Sequence, residues 1–213
     1  MFNKLVPWEI MNKRVLRDAD RSREAILDSA EDLFSQHGYE RVSLADIAEL
    51  AGVSRGLPSY FLSNKQGLYR TVMERAATDN RRAVLDVVGS VEGDAPRRIL
   101  LTLIDRYIDY LAASPRVVRL LQWEALEAAR RGCGGDSDVP RRVFLEASRL
   151  VSERIGTKRI VGIDVQDLLL SIVSLCLYPF QVMPMRDRKL KSFVQRHKRH
   201  VSEIVLRVLG EKA

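Results

Sequence analysis

Between Ser43 and Lys65 the chain reads SLADIAELAGVSRGLPSYFLSNK, and this stretch holds the residues best suited to chemistry. The chemistry is non-covalent recognition of a charged duplex. Arg55 can pair bidentately with guanine O6 and N7, which discriminates by about 1–3 kcal/mol, or it can contact phosphate alone. Gly56 lets backbone approach closely, Ser54 and Ser59 can bond phosphate or a base edge, and Tyr60 can give its hydroxyl to phosphate or pack on sugar. Ser43 and Lys65 flank the segment as candidate phosphate contacts, at helix starts where amides and positive charge favour anions.

Other chemistries lack their residues. No nucleophile–base pair, metal-ligand set or phosphate-cradling glycine loop is evident, so an enzyme with its own cofactor is not expected. His197 and His200 are three apart, but no carboxylate or cysteine accompanies them closely, and metal is not expected there. Cys133 and Cys176 make no disulfide framework. Cys133, within Arg-Gly-Cys-Gly-Gly, is a thiol beside positive charge with no resolving partner nearby.

The elements that must position these groups are helical. A first helix, capped by Asp18 or Asp20, is expected to run to about His37, with Gly38 in the residue position that ends it. Leu44, Ile47 and Ala48 form one apolar stripe of a second helix, which Ser43 caps with Asp46 three residues on. Gly52 supplies the positive-φ turn and Ala48 the small residue where two helices cross, the pattern of a helix-turn-helix. Ser54 is expected to cap the third helix, residues 55–62, and Ser63 with Gln66 a fourth over 65–88. After the break at 89–93, helices are expected over 97–112, 115–131, 139–155, 165–183 and 187–209. No alternating strand pattern competes, so the fold expected is all-α with about nine helices. The domains expected are a basic arm at 1–16, a DNA-binding unit at 17–64 and a second helical unit at 65–213, to which the resemblance described below assigns effector binding and dimerisation. The arm carries Lys4, Lys13 and Arg14 among Phe2, Trp8 and Ile10; it either adds phosphate contacts or is a loose leader ahead of Met11.

Net charge is a poor guide to the partner. The chain of 213 residues carries +7, yet residues 1–75 hold 11 basic and 11 acidic side chains, so the whole excess lies outside the helix-turn-helix. The run from Arg186 to Arg199 reads as the solvated face of an amphipathic helix. The most apolar segment, 168–183, is short for a membrane span and contains Pro179, and the N-terminus lacks a signal-peptide core. A cytoplasmic protein without a membrane partner is expected.

One short reading helix reaches only a few base pairs, so two copies on a two-fold axis are expected. Ile172 and Leu175 on one late helix, with Phe193, Val194, His197, Val201, Ile204 and Val208 on the next, are the candidate pairing stripes. Tyr107, Tyr110, Trp123, Phe144 and Tyr178 are candidates to line a ligand pocket, with Arg106, Asp105 and Glu124 as polar orienting groups.

The run from the helix ending near Gly38-Tyr39, through Val42-Ser43-Leu44-Ala45-Asp46-Ile47-Ala48 and Ala51-Gly52-Val53-Ser54, to an aromatic pair and Lys65, resembles the TetR family of bacterial transcription regulators. The resemblance covers about residues 20–70. It implies a homodimer on a palindromic double-stranded DNA operator, usually a repressor, released when a small-molecule effector enters the C-terminal unit. It also implies that the third helix enters the major groove, that the starts of the second and fourth touch phosphates, and that the last two helices pair into a four-helix bundle. One departure lies in the reading helix. Where the family commonly has an aliphatic residue, Tyr, a variable residue and Tyr-Phe, this chain has Pro58, Ser59, Tyr60, Phe61 and Leu62. Pro58 also removes the amide that would bond back to Ser54. The alternative reading is a DNA-binding dimer without an effector, its C-terminal unit serving only dimerisation or a protein partner.

Overall fold

A computed structural model describes residues 7–90, 96–131, 139–156, 159–183 and 188–210. Among them are nine helices: α1 (Pro7–Arg41), α2 (Leu44–Leu50), α3 (Leu57–Leu62), α4 (Lys65–Ser90), α5 (Pro96–Ala113), α6 (Pro115–Arg131), α7 (Val139–Ile155), α8 (Val165–Val182) and α9 (Arg188–Val208). The all-α expectation holds, apart from one antiparallel pairing of two residues on two, β1 (Arg159–Ile160) with β2 (Ile163–Asp164). The chain forms two compact units, Met1–Val72 and Met73–Ala213, and the division falls inside α4. Cys133 lies outside the described residues, as do the first six residues of the basic arm.

The first unit closes around α1, α2, α3 and the opening turns of α4. Ile26, Leu27, Ala30 and Phe34 recur three and four apart on α1 and are buried with Ile47, Ala48, Leu62, Leu68 and Val72. Three rings interlock in this core: Phe34 and Tyr39 each meet Tyr69 edge-on at 5.1 Å. Gly38 takes φ 76°, ψ 175°, which breaks α1 where the sequence places its end. The beginning of α1 differs from expectation. Helical backbone starts at Pro7, whose fixed φ suits a first turn, and nothing before Asp18 interrupts it. Asp18 and Asp20 are therefore interior residues rather than caps, and the Asp18 carbonyl accepts from Ser22 Oγ at 2.8 Å.

In the second unit, one apolar cluster joins α5, α7, α8 and α9, with Ile104, Ile108, Val151, Ile172 and Val201 at or near zero exposure. Lys198 ties α9 to α5 on their polar side, its Nζ lying 2.8 Å from Asp105 Oδ1 and 2.7 Å from Asp109 Oδ2. Asp164 caps α8 by accepting from the Gln166 amide. At 18 residues, α8 is the one described helix long and apolar enough to cross a membrane, although its apolar segment was expected to be short for a span. Its inner positions Val165, Leu168, Leu169, Ile172 and Cys176 belong to the unit's own core, and core helices pass the same test.

Candidate functional site

The turn between α2 and α3 is built by the backbone. Gly52, at φ 65°, occupies the residue position after the Ala51 cap. The Val53 amide donates to the Ala48 carbonyl at 3.0 Å and the Gly52 amide to the Glu49 carbonyl at 3.1 Å, the paired bonds of a Schellman ending. At the other end of α2, Ser43 and Asp46 form the expected capping box: Ser43 Oγ accepts from the Asp46 amide at 3.1 Å and the Ser43 amide donates to Asp46 Oδ2 at 2.9 Å. The Ser43 amide, and then its hydroxyl, hold the Asp46 carboxyl below the usual carboxylate range. Ser43 is itself exposed at the start of α2.

α3 is shorter than the sequence suggests. Pro58 cannot donate to the Ser54 carbonyl, which takes the Leu57 amide instead at 3.0 Å. The first four-residue bond runs from the Tyr60 amide to the Gly56 carbonyl at 3.1 Å, so the helix begins at Leu57. The N-cap is Gly56, without a side-chain bond; the expected Ser54 cap is absent for this reason. Ser54, Arg55 and Gly56 therefore stand in the turn before the helix, all exposed. Ser59 and Tyr60 are exposed on α3, Tyr60 at 80%, while Pro58 and Leu62 are buried beneath them. Tyr60 leans edge-on against Phe61 at 5.3 Å, an apolar contact that holds the phenol in place.

A strained elbow joins α3 to α4. Ser63 lies at φ 64°, ψ −62°, and the Asn64 amide reaches the Leu62 carbonyl at 2.7 Å, the geometry of a tight γ-turn. The cap of α4 is Asn64, whose Oδ1 accepts from the Gly67 amide at 2.8 Å. The Ser63–Gln66 capping box is thereby displaced by one residue, because Ser63 is committed to the turn. Gly67 is required by contact: a Cβ there would lie 2.6 Å from the Leu62 carbonyl oxygen. Lys65 is half-buried, with Nζ 4.2 Å from the Tyr39 ring centroid and 3.2 Å from the Glu40 carbonyl. The expected phosphate anchor is thus held over α1 by contacts that the sequence did not reveal.

The second unit contains a cavity of about 220 Å³. Of the aromatic candidates, Tyr107, Tyr110 and Phe144 line it, whereas Trp123 and Tyr178 do not. Tyr178 is 63% exposed because its position on α8 faces outward. The rest of the wall is largely aliphatic and comes from α4 to α8. Tyr110 donates to the Ala76 carbonyl at 2.9 Å, and Ser148 to the Phe144 carbonyl at 2.8 Å. Burial raises the Tyr107 hydroxyl well above the ordinary tyrosine range, so it remains a proton donor. Burial likewise pushes the Cys176 thiol up to about 12.

The candidate pairing stripes divide. Ile172, Phe193, Val194, His197 and Val201 are buried within the unit's own core, since they face α5 and each other. Leu175 and Val208 are exposed and Ile204 is partly so. Leu170, Tyr178 and Val182, four or eight apart on α8, are also exposed, at 52%, 63% and 48%. Periodicity finds both faces of such a helix but does not say which is covered from within.

The first unit is thus a helix-turn-helix that exposes Ser59 and Tyr60 on its second helix and Ser54, Arg55 and Gly56 just before it. Residues 26–72 match the model for bacterial regulatory proteins of the tetR family. That match covers the helix-turn-helix unit, and over most of its length the chain is similar to DNA-binding transcriptional regulators of this kind. The HTH-type transcriptional repressor SCO4008 of Streptomyces coelicolor is 27% identical over 176 residues, 80% of this chain and 84% of that protein. The HTH-type transcriptional regulator RutR of Escherichia coli is 28% identical over 161 residues, 73% of this chain and 72% of that protein. A TetR-like transcriptional regulator from Rhodococcus sp. RHA1 has the same fold, with a TM-score of 0.63 at 17% identity over 90% of this chain and 97% of that one.

Proposed function

We propose that the protein acts in the cytoplasm as a homodimeric repressor, bound to a palindromic operator and released by a small molecule in the second unit. The observation that carries the DNA reading is the split on α3. Arg55, Gly56, Ser59 and Tyr60 are exposed together, while Pro58 and Leu62 anchor the segment from below. Arg55 is the base-reading group in this account, Ser54, Ser59 and Tyr60 bond the backbone or base edges, and Ser43 and Lys65 bond phosphates. Pairing is assigned to the apolar stripe that α8 leaves uncovered, extended by Leu175, Ile204 and Val208. The cavity lined by Tyr107, Tyr110 and Phe144 supports an effector over the effector-free alternative. The repressor sense accords with the name of the Streptomyces relative.

The test is a gel-shift titration of the full chain on the duplex flanking its own coding region, repeated across salt. Arg55→Ala should remove about 1–3 kcal/mol of specific binding and leave non-specific binding nearly intact. A chain that binds that duplex no better than a scrambled one, or an Arg55→Ala variant with unchanged specificity, contradicts the reading.

A further inference from the structure

The wall of the cavity in the second unit has an uneven chemistry. Its body is hydrocarbon, including Leu120, Val143, Phe144 and Ile172. At about 220 Å³ it is smaller than the roughly 300–1,000 Å³ of drug-sized sites, so it suits a compact occupant. Among the described residues, no Asp or Glu lines it, and the one charged lining residue is Arg106. Arg106 is also the only exposed residue of the lining, which places it where the cavity meets solvent. Its α5 neighbours Asp105 and Asp109 are engaged by Lys198 of α9, leaving Arg106 without an ion-pair partner among the described residues. Two of the lining hydroxyls, Tyr110 and Ser148, already donate to backbone carbonyls. Tyr107 also lines the cavity and has no hydrogen-bond partner among the described residues.

We infer that this cavity selects a compact apolar monoanion, its hydrocarbon body among the α5–α8 side chains, its single anionic group at Arg106, and Tyr107 as a second donor. The inference rests on the reading of the cavity as the effector site. An anion at the mouth gains a charge-assisted bond and stays partly hydrated, whereas a cation there meets Arg106 with no acid to offset it. A neutral amide of equal shape accepts only weaker hydrogen bonds there, with no anionic charge to pair with Arg106.

The test uses calorimetry on the full chain with three probes of one shape: 4-butylbenzoate, 4-butylbenzamide and 4-butylbenzylamine. The benzoate should bind at least about tenfold more tightly than either of the others. Arg106→Gln, at an exposed position, should erase that preference, lowering the benzoate affinity far more than the benzamide affinity. Arg106→Lys should restore part of it, and Tyr107→Phe should weaken the benzoate. Equal or tighter binding of the amide or amine, no binding by any probe, or a benzoate preference that survives Arg106→Gln overturns the inference. A parallel operator-release assay separates the two readings. Benzoate that binds through Arg106 without releasing DNA upholds the selectivity and defeats the effector reading. Release by the amide or amine independent of Arg106 does the reverse.

Discussion

Lys65 Nζ stands 4.2 Å from the centroid of the Tyr39 ring, so the start of α4 is fastened to the end of α1 by a cation over an aromatic face. Such a contact contributes about 0.5–1 kcal/mol at a partly exposed site. It also fixes where the ammonium meets DNA. Lys65→Ala should weaken binding to all duplexes alike and lower the salt slope by about one. Tyr39→Leu keeps the charge but loosens its placement; it should cost affinity without lowering that slope by a full unit. Salt-dependent titrations of both variants check this.

The α3–α4 elbow predicts opposite outcomes for two small changes. Gly67→Ala places a methyl 2.6 Å from the Leu62 carbonyl, so the elbow must open, at a cost of about 1–3 kcal/mol. Ser63→Gly relieves a non-glycine residue at φ 64° and should stabilise the fold by a few tenths to about 1 kcal/mol. Urea unfolding of the two variants measures both. A tolerated Gly67→Ala, with unchanged midpoint and unchanged DNA binding, would show that α3 is not held by this contact.

The pairing surface is tested on α8. Leu170→Glu and Tyr178→Glu put charge on exposed positions, so each monomer should keep its helical content. Sedimentation velocity should show the dimer dissociating, with loss of high-affinity operator binding. Val201→Glu, at a fully buried position, should instead unfold the second unit. A wild-type chain that sediments as a monomer would remove the basis for the palindrome.

Acid should weaken the second unit through His197. Burial between Phe193 and Phe180 holds its imidazole below the ordinary 6.5; the Cys176 and Leu175 carbonyls oppose this, and His200 adds to it. The unfolded chain therefore binds more protons than the folded one just below pH 6.5. This contribution to stability is fully present above that pH and declines as pH falls toward the depressed folded value. His197→Leu should flatten the midpoint-versus-pH curve between about pH 7 and 5. A wild-type curve already flat there would contradict the assignment.

Much of this was readable from residue types alone. The Ser43–Asp46 box, the Gly38 ending and the Gly52 turn follow local backbone rules, and each is present where those rules put it. The capping errors share one cause: a cap is chosen by competition between neighbours. Ser54 yields to Gly56 because of Pro58, and Ser63 to Asn64 because of the γ-turn. Which face of α8 or α9 is covered depends on contacts distant in sequence, so His197 and Val201 looked as available for pairing as Leu175. Tyr178 and Trp123 were candidates for the cavity by type, and only packing excludes them from its wall.

The most direct test of the central claim is selection of bound duplexes from a random pool by the full chain. The enriched site should be two-fold symmetric, with half-sites about 34–36 Å apart and one face of the duplex engaged. Arg55→Ala should relax the preference within each half-site. No enrichment, or a single asymmetric site indifferent to Arg55→Ala, would contradict the claim.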